Sequence, residues 1–417
     1  MSIGSILGSR YQVVKAIGKG SFSRVFQCLD LVRKDMTSVK IVKRGEDFFD
    51  AGLSEVRVLM LLNQDDGVAN EAIVHLRDCF YFKEHLIIVT ECLRETLFQH
   101  LKIAHGSGGG GIDPAVVAAQ AKMLLKALKF IHSHDVIHGD IKPDNICLAC
   151  TDPRRVKLID FNTCVSKLDS LTSYMGSRWY RPPEVILGIP PDFKIDLWAL
   201  GCTLLEEVLG FPIFKGTSVA AVLAAQQAVL GPHPTALLAK SPPSVRAMYF
   251  APNDKLYVLD PPDRECGALK LIPVPTPLEE LLSSHDSQMV DFITSLLQYE
   301  PENRPDASAA LEHPFLANMP DTPFAELREV SGALVDETFQ SGATPSSAPN
   351  SFRRNVSTST SSSFRSKSDS RPGSFNFKQR GTIRSASSVL AGDSDSKSLW
   401  SSESRQTSVM ERASPGA

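Results

Sequence analysis

Two short stretches in the middle of the chain decide its fold: VIHGDIKPDNICL at residues 136–148 and VKLIDFN at residues 156–162. The second is an apolar, strand-like run that stops at an acid, Asp160. An Asp that follows a strand commonly caps a turn. This segment alone leaves that structural role and a functional role open, and the choice between them depends on the surrounding sequence.

Three polar residues of the first stretch, Asp140, Lys142 and Asn145, lie in a short segment before another strand-like run. If the two apolar runs form adjacent hairpin strands, Asp140, Asn145 and Asp160 come close together at the strand ends. A carboxylate, an amide oxygen and a second carboxylate in this arrangement suit a base for a hydroxyl group beside ligands of Mg²⁺. The two stretches therefore predict a metal-dependent catalytic site.

The chain has 417 residues, of which 42% are hydrophobic, enough to bury a large core in more than one domain-sized unit. Its longest apolar stretch, residues 195–214, is interrupted by Glu206 and Glu207, and its N-terminus lacks the apolar core of a signal peptide. We therefore expect no membrane span and a location in the cytosol or the nucleus. The single C-x-x-C pair, Cys147 and Cys150, has no second pair, so we expect neither a zinc site nor a disulfide framework.

The C-terminal part of the chain differs in composition from the rest. Residues 351–417 carry 11 Lys or Arg and 5 Asp or Glu, a net charge of +6, although the whole chain has a net charge of −3. This segment is rich in Ser and poor in large aliphatic residues, so it cannot bury enough apolar surface to offset the entropy of ordering. We predict a disordered, basic tail over residues 317–417, of which residues 317–350 are the transition.

The sequence before the tail changes its pattern once. The first 80 residues hold short β-like runs and one helical pattern, which predicts a small antiparallel sheet with a single main helix. After residue 95 the pattern is mostly helical, most clearly at residues 114–133, preceded by Asp113 as an N-cap, and at residues 194–210, which are apolar nearly all round. The fold class is therefore α+β, with a small β-rich lobe followed by a larger α-helical lobe.

Three features of the small lobe carry chemistry. GKGSFSRV at residues 18–25 lies between strand-like runs, where glycines let the backbone approach a phosphate, although an ordinary hairpin turn would look the same. Lys40 lies on the next strand, where most Lys side chains are simply solvated. Glu55 shares a helix face with Leu59 and Leu62, so its carboxylate is expected to be buried and to need a partner. Lys40 is the candidate partner.

In chain order, the glycine-rich segment, the strand Lys, the helix Glu, the loop around Asp140 and the D-F pair at Asp160 resemble the signature set of the eukaryotic protein kinases. The segment 182–184, Asp196 and Arg304 match further markers of that family. Eight markers in the right order make the resemblance specific.

The resemblance covers residues 11–316 and implies the bilobal protein kinase fold. It places the N-lobe at residues 11–91 and the C-lobe at residues 92–316, after an N-terminal extension of residues 1–10. The stretch SYMGSRWYRPPEVILG, an insert near residues 231–290 and a catalytic loop without its usual Arg are similar to the CMGC group, and most of all to its dual-specificity tyrosine-regulated (DYRK) branch.

The resemblance also implies that ATP and Mg²⁺ are the cofactors. Asp160 and Asn145 would be the metal ligands. Asp140 would orient the acceptor hydroxyl and take its proton, while Lys142 would neutralise the γ-phosphate. Little covalent chemistry is asked of the protein in such a site, so catalysis would consist of positioning and charge neutralisation.

The remaining nucleotide contacts follow from the same resemblance. Lys40, positioned by Glu55, would contact the α- and β-phosphates, and the backbone of Glu91 and Leu93 would hydrogen-bond to adenine above a pocket floor formed by Cys147. The glycine-rich segment would cover the phosphates with Ile17, Gly18, Lys19, Gly20, Ser21, Phe22, Ser23, Arg24 and Val25.

Four positions depart from the family pattern, of which Ser23 at the third Gly position and Ser38 above the adenine are the smaller changes, since both side chains are small. Asn162 replaces the Gly of D-F-G, a position that permits positive φ, and Asn tolerates that region at a cost of at most roughly 1–2 kcal/mol. We therefore expect a working site with altered loop dynamics. Gly139 replaces the Arg that usually receives a loop phosphate, and we expect a phosphorylated Tyr174 to be held by Arg178 and Arg181 instead.

Two functions of different class fit the sequence. The first is an active Ser/Thr kinase that also phosphorylates its own Tyr174. The second is a pseudokinase, a nucleotide-binding scaffold in which Asn162 and Gly139 mark lost catalysis. The chain retains all five residues that the family uses for ATP, metal and catalysis, and this retention favours the kinase. They are Lys40, Glu55, Asp140, Asn145 and Asp160.

Protein substrates are the expected partners, with acceptors followed by Pro suggested by the CMGC-like SRWYR. The tail carries Arg three residues before Ser357, Ser387 and Ser408, a pattern that suggests phosphorylation by other kinases or partner docking. Nucleic-acid binding is not expected because no aromatic platform accompanies the basic tail, and we expect a monomer.

Overall fold

The computed structural model describes residues 1–64, 71–106, 112–166, 176–257 and 276–317. Tyr174, the middle of the proposed insert and almost all of the predicted tail lie outside these ranges. The described chain forms a sheet-based N-lobe followed by a helical C-lobe, as the sequence predicts.

The N-lobe is an antiparallel sheet of six strands in the order β1-β2-β3-β4-β6-β5. The strands are β1 (Ile6–Leu7), β2 (Tyr11–Lys19), β3 (Ser23–Asp30), β4 (Met36–Val42), β5 (Leu76–Phe82) and β6 (His85–Glu91). Lys40 lies on β4 directly across from Val25 of β3 and Ile88 of β6, in the interior of the sheet. This register places the Lys40 side chain next to the helix that covers the sheet.

The segment 1–10, which the sequence suggested as an extension before the lobe, supplies the edge strand β1. Arg10 forms a two-pronged ion pair with Asp30 at the end of β3, with its Nε 2.9 Å from Oδ1 and its second terminal nitrogen 2.7 Å from Oδ2. The other terminal nitrogen of Arg10 lies 3.3 Å from Oδ2 of Asp78 on β5, which also accepts a hydrogen bond from the Tyr11 hydroxyl at 2.8 Å. The Arg10 contacts fasten the end of the N-terminal segment to strands β3 and β5.

Helix α1 (Glu46–Leu62) packs on the sheet through Gly52, Glu55 and the apolar residues of the same face. At Gly52 a Cβ atom would lie 2.8 Å from the end of the Leu86 side chain on β6, so any other residue at this position would require Leu86 to move. The predicted burial of Glu55 is confirmed, since the residue is only 4% exposed. The close approach of α1 brings its carboxylate within reach of Lys40.

The C-lobe begins with the helices α2 (Leu97–Gly106) and α3 (Pro114–Ser133). Asp113 caps α3 by accepting the Ala115 N–H, as predicted. Short strands follow: β7 (Val136–Ile137), β8 (Ile146–Leu148), β9 (Val156–Leu158) and β10 (Val165–Ser166). The remaining helices are α4 (Pro183–Ile186), α5 (Lys194–Leu209), α6 (Val219–Leu230), α7 (Thr235–Lys240), α8 (Pro243–Tyr249), α9 (Leu278–Leu281), α10 (Ser287–Leu296), α11 (Ala307–Leu311) and α12 (Pro314–Ala317).

Helix α5 lies at the centre of the C-lobe and is buried along almost its whole length, as its apolar sequence predicts. Gly201 allows α10 to pack closely, because a Cβ atom there would lie 3.0 Å from Leu296 and Leu297. None of the helices in the described ranges is both long enough and apolar enough to cross a bilayer. Helix α5 is instead the internal support against which the catalytic loop rests.

A buried ion pair joins α4 to the segment after α10. The Arg304 guanidinium contacts both carboxylate oxygens of Glu184 at 2.6 and 2.7 Å, and both side chains are at most 1% exposed. Its remaining N–H groups donate to the carbonyls of Lys194, Gln298 and Tyr299. Because every donor of this buried charge is satisfied, the pair fixes α4 against the segment after α10.

Two adjacent acids of α5 differ in their surroundings. Glu206 accepts a hydrogen bond from the Tyr180 hydroxyl, and burial raises the pKa of Glu206 to about 7. Glu207 is fully buried, and neither of its carboxylate oxygens has a hydrogen-bond partner in the described part of the chain. Burial therefore raises the pKa of Glu207 well above its usual value.

We predict that Glu207→Gln stabilises the protein increasingly as the pH rises from 5 to 8. The folded chain holds the Glu207 proton, whereas the unfolded chain releases it near pH 4.3, so this group's stabilising contribution is complete below that pH and is lost as the pH rises. Gln does not titrate, so the difference in free energy of unfolding should grow by up to about 1.4 kcal/mol per pH unit. Urea denaturation at several pH values measures it.

The control for this experiment is Glu280→Gln, which makes the same change at an exposed position on α9. The difference in free energy of unfolding between Glu207→Gln and wild type should change more from pH 5 to 8 than the difference between this control and wild type. A difference between Glu207→Gln and wild type that stays constant from pH 5 to 8 would contradict the buried, protonated state of Glu207.

Candidate active site

Strands β8 and β9 form a hairpin, in which β8 ends the stretch 136–148 and β9 begins the stretch 156–162. Ile146 pairs with Leu158, so Asn145 precedes one strand at the same end at which Asp160 follows the other. The Ile159 N–H donates to the Asn145 carbonyl at 3.0 Å and closes this end of the hairpin. The predicted adjacency of the polar residues at the strand ends therefore holds.

Asp140 is held from several sides. Its Oδ1 accepts the Ser177 N–H at 2.8 Å, and its Oδ2 accepts from Lys142 Nζ at 2.6 Å and from Asn145 Nδ2 at 3.0 Å. Burial raises the pKa of Asp140, but the Lys142 ammonium and the hydrogen bonds from Ser177 outweigh it and lower that pKa below its usual value. Asp140 is therefore an ionised carboxylate at neutral pH, which a proton acceptor requires.

A second carboxylate, Asp196 on α5, shapes the backbone of the catalytic loop. It accepts the N–H groups of His138 and Gly139, each at 2.9 Å, and a ring nitrogen of His132 also at 2.9 Å. Burial raises the pKa of Asp196, but its hydrogen bond with His132 and its other partners lower it below the usual value. Asp196 is only 1% exposed, so the loop is fixed to the lobe interior immediately before Asp140.

Lys40 joins the two lobes. Its Nζ lies 2.9 and 2.8 Å from the two carboxylate oxygens of Glu55 and 2.6 Å from Oδ1 of Asp160. Burial by itself lowers the pKa of Lys40, but these two carboxylates raise it above its usual value, so the ammonium stays charged. The predicted partnership of Lys40 with Glu55 is thus present, and Asp160 is a further partner of Lys40.

The strained backbone position lies at Asp160, not at Asn162. Asp160 has φ of 63°, in the left-handed region, whereas Asn162 is not among the residues with positive φ. The expectation that Asn162 must tolerate positive φ is wrong for this conformation. The Asn162 side chain therefore imposes no left-handed strain on the turn at residues 162–163.

The oxygen atoms of Asn145 and Asp160 suit a divalent cation. The Asn145 amide nitrogen donates to the carbonyl and the carboxylate of Asp140, so its amide oxygen is the atom left for a ligand. Asp160 keeps one carboxylate oxygen that Lys40 does not bind. The described residues hold no cluster of three acidic, His or Cys side chains around a common point, so phosphate and water oxygens would complete the shell, as Mg²⁺ prefers.

The glycine-rich segment forms the turn between β2 and β3. The Gly20 N–H donates to the Ser23 carbonyl at 2.9 Å, and Lys43, directly after β4, donates its N–H to the Phe22 carbonyl at 2.9 Å.

The side chains of the turn differ in exposure: Ile17 and Phe22 are more than 40% exposed, whereas Ser23 is buried. The ring of Phe22 meets that of Phe48 on α1 edge to face at 5.7 Å. Gly18, Lys19, Arg24 and Val25 lie in the paired β2 and β3 strands beside this turn.

The predicted adenine contacts lie in the segment between β6 and α2. Glu91 ends β6, and the Leu93 N–H has no acceptor among the described residues, so it is available to a ligand. The buried Cys147 lies on β8, which forms a bridge with Thr96 at the far end of this segment. Cys147, the predicted floor of the adenine pocket, is therefore next to the segment between β6 and α2.

The segment after residue 175 contains a site residue that the sequence reasoning missed. Besides its N–H bond to Asp140, Ser177 accepts from Lys142 Nζ through its hydroxyl at 2.7 Å. Arg178 donates to the Thr217 carbonyl, and Arg181 donates to the Gly176 carbonyl at 2.8 Å. The predicted clamp on a phosphorylated Tyr174 lies partly outside the described residues and stays a prediction.

Two glycines with left-handed backbones meet where this segment touches the catalytic loop. Gly139 has φ of 75° and Gly176 has φ of 74°. A Cβ atom on Gly176 would lie 2.7 Å from the Gly139 carbonyl oxygen, which is closer than real Cβ contacts. Glycine at residue 176 is therefore required for the segment to reach Asp140.

Comparison with known proteins gives consistent results. Residues 11–316 match the protein kinase domain family. The chain is 31% identical over 319 residues to the DYRK-family kinase pom1 of Schizosaccharomyces pombe, covering 76% of this chain and 28% of that protein. It is 32% identical over 307 residues to dual specificity tyrosine-phosphorylation-regulated kinase 4 of Homo sapiens, covering 74% of this chain and 57% of that protein.

The chain therefore spans about a quarter to three-fifths of the length of these curated relatives. Among solved structures, the crystal structure of a kinase domain superposes with a TM-score of 0.68 and 26% sequence identity, covering 76% of this chain and 98% of that domain.

We predict that Gly176→Ala destabilises the protein more than Gly4→Ala does. Both glycines have positive φ, so both substitutions add strain of roughly 1–2 kcal/mol. Only at Gly176 does the new Cβ atom also meet backbone, whereas no atom lies within 4 Å of a Cβ at Gly4. Thermal unfolding of both variants measures the difference, and equal losses would contradict the close contact with Gly139.

Proposed function

Because the chain belongs to the protein kinase domain family, we propose that it is a Ser/Thr protein kinase that uses ATP and Mg²⁺ to phosphorylate hydroxyl groups of proteins. The observation that carries this proposal is the position of Lys40, whose ammonium contacts Glu55 and Asp160 together at 2.6–2.9 Å. A Lys held in this way presents a fixed positive charge beside a metal ligand, which suits the phosphates of a nucleotide.

The chain's own residues divide the work of phosphoryl transfer. Asp140 is ionised and aimed by Ser177 and Asn145, so it orients an incoming hydroxyl and accepts its proton. Lys142, which is 2.6 Å from Asp140, supplies a positive charge close to the point of transfer. Mg²⁺ held by Asn145 and Asp160 would supply charge neutralisation for the phosphates.

The same observations argue against a nucleotide-binding scaffold without catalysis. A scaffold places no demand on the ionisation or aim of Asp140, yet Asp140 has three hydrogen-bonded partners that fix its rotamer. The two substitutions that suggested decay leave this arrangement intact, since Asn162 adds no left-handed strain and Gly139 keeps its N–H bond to Asp196.

Tyrosine autophosphorylation at Tyr174 is part of the proposal and draws its support from the similarity to dual-specificity relatives. Arg178 and Arg181 follow at the spacing that would let them receive a phosphate. We also place the protein in the cytosol or the nucleus, as a monomer whose basic tail docks partners or is itself phosphorylated.

Acceptors followed by Pro are the proposed substrate class. The Arg181 guanidinium donates a hydrogen bond to the carbonyl of Gly176, whose backbone is left-handed. The next residue, Ser177, donates its N–H to Asp140. A peptide with its acceptor at Asp140 would place its following residue beside this occupied carbonyl. A residue with an N–H would leave that donor unpaired, whereas Pro has no N–H to satisfy.

The main prediction concerns phosphate transfer from labelled ATP with Mg²⁺ to a generic basic protein. Asp160→Ala should lower the rate at least about 100-fold, because it removes a metal ligand and a partner of Lys40. Asp152→Ala, in the turn between β8 and β9, is the control and should leave the rate unchanged. Mass spectrometry of the wild-type protein should find phosphate on Tyr174.

Two outcomes would contradict the proposal. If wild type and Asp160→Ala are equally inactive while ATP with Mg²⁺ still raises the melting temperature of the wild type, the scaffold function replaces the kinase. If activity is present but Tyr174 carries no phosphate, the Ser/Thr kinase stands and the autophosphorylation does not.

A second prediction uses three peptides that differ only in the residue after the acceptor Ser: Pro, Ala and N-methylalanine. The Pro peptide should have a kcat/KM about tenfold above that of the Ala peptide, as expected for one unpaired donor. N-methylalanine also lacks the N–H, so it should recover most of the difference. An N-methylalanine peptide as poor as the Ala peptide would show that the Pro ring, and not the missing N–H, is recognised.

A further inference from the structure

Lys157 on β9 forms an ion pair that the sequence reasoning did not anticipate. Its Nζ lies 2.6 Å from Oε1 of Glu91, and the two side chains are only 11% and 22% exposed. Glu91 is the last residue of β6, at the start of the connection between the lobes, residues 91–96, which is called the hinge below. The pair therefore joins the C-lobe hairpin β8–β9 to the entrance of the hinge.

The Glu91 carboxylate has a second partner. Its Oε1 also accepts the His75 N–H at 2.8 Å, while the Glu91 N–H donates to the His75 carbonyl at 3.0 Å. One oxygen atom thus receives an ammonium from the C-lobe and a backbone N–H from the segment between α1 and β5. Rotation of the Glu91 side chain away from this position would break both contacts.

The same segment is bonded to β9 through its backbone. The Leu158 N–H donates to the Ala72 carbonyl at 2.7 Å, and the Val74 N–H donates to the Leu158 carbonyl at 3.0 Å. Leu158 follows Lys157 directly. The contacts therefore form a closed ring that runs from β9 to residues 72–75, from there to Glu91, and back to β9 through Lys157.

The far end of the hinge is fixed to the neighbouring strand. The Arg94 N–H donates to the Leu148 carbonyl and the Leu148 N–H to the Glu95 carbonyl, both at 3.0 Å. On the β8–β9 hairpin, Lys157 pairs directly with Cys147. Both ends of the hinge are consequently held by one hairpin, the exit by backbone bonds and the entrance by the Lys157 side chain.

We propose that Lys157 is a positioning residue for nucleotide binding, which acts by holding Glu91 so that the hinge backbone stays aligned with the β8–β9 hairpin. The inference rests on the proposed nucleotide site, in which the hinge backbone binds adenine and the hairpin carries Cys147 beneath it. Lys157 lies three residues before Asp160 on the same chain segment. It therefore keeps the adenine end and the metal end of the site in register.

This role differs from that of an ordinary surface ion pair. Exposed pairs are screened by salt and gain little. The Lys157 and Glu91 side chains are mostly shielded from water, so their attraction is less screened, and loss of the Lys157 ammonium removes this positive charge from beside the Glu91 carboxylate. The consequence falls on the hinge, since the backbone of Glu91 is the part of the pair that a nucleotide would touch.

The experiment measures the dissociation constants of adenosine and of ADP with Mg²⁺ for the full chain by calorimetry. Lys157→Met keeps the length of the side chain and removes its charge, Lys157→Arg keeps the charge, and Glu91→Gln removes the partner charge while keeping an acceptor for His75. Lys240→Met, which breaks the exposed pair of Lys240 with Glu302, is the matched control.

Lys157→Met and Glu91→Gln should each weaken adenosine and ADP by the same factor of about ten, which corresponds to 1.4 kcal/mol. The variant with both changes should be no weaker than either alone, and Lys157→Arg should regain most of the affinity. In steady-state assays of phosphate transfer, both Lys157→Met and Glu91→Gln should raise the KM for ATP. Their kcat at saturating ATP and their KM for the protein substrate should stay within about twofold of wild type. Lys240→Met should match wild type throughout.

Unchanged nucleotide affinity in a folded Lys157→Met variant would overturn the proposal. So would additive losses in the double variant, or a loss confined to ADP, because the ion pair acts on the adenine end of the site. If wild type binds adenosine and ADP but transfers no phosphate, the kinase function fails while the dissociation constants still decide the role of Lys157.

Discussion

The buried carboxylate of Asp196 is the constraint on which the rest of the site depends. It lies on α5, which is buried along almost its whole length, and accepts two successive backbone N–H groups of the catalytic loop, at His138 and Gly139. Backbone donors buried at that point have no other partner of comparable strength, so the loop takes a single path. Asp140 follows immediately and inherits this position. The other contacts of Asp140 refine its aim and do not set its location.

A second set of contacts connects this fixed loop to the more peripheral parts of the site. Ser177 brings the segment before α4 onto Asp140, and the Arg304–Glu184 pair holds α4 itself in place. On the opposite side, Lys40 reaches from the sheet to Asp160 at the end of the β8–β9 hairpin. The site is therefore assembled from one rigid helix outward, with charged side chains as the links between elements.

Much of this arrangement could be predicted from the sequence, because it depends on local patterns. The alternation of the strands, the cap of α3 at Asp113 and the apolar surface of α5 are properties of short windows. The pairing of Lys40 with Glu55 also followed, since a carboxylate on a packed helix face needs a partner. Glu55 could be singled out because it is polar at a position where the helical pattern requires an apolar side chain.

The parts that could not be predicted depend on tertiary geometry. Nothing in the sequence near residue 160 reveals that positive φ falls on Asp160 and not on Asn162, because that choice is set by how the strand leaves β9. The role of Lys157 could not be predicted either, because a Lys on a short strand is usually solvated and nothing local shows that the hinge residue Glu91 lies beside it. The role of Ser177 was hidden for a similar reason, since its contact with Asp140 spans 37 positions of sequence.

The contact between Gly139 and Gly176 has a consequence for how the chain can change over evolutionary time. Every amino acid other than glycine carries a Cβ atom, and at residue 176 that atom would meet the Gly139 carbonyl whatever the rest of the side chain. Neither a polar nor an apolar replacement, and neither a small nor a large one, avoids the collision. The position is therefore closed to sequence drift, while its neighbour Ser177, which already has a Cβ atom, can exchange with other residues that keep the hydroxyl. A departure from glycine at residue 176 would have to be accompanied by a shift of the catalytic loop itself.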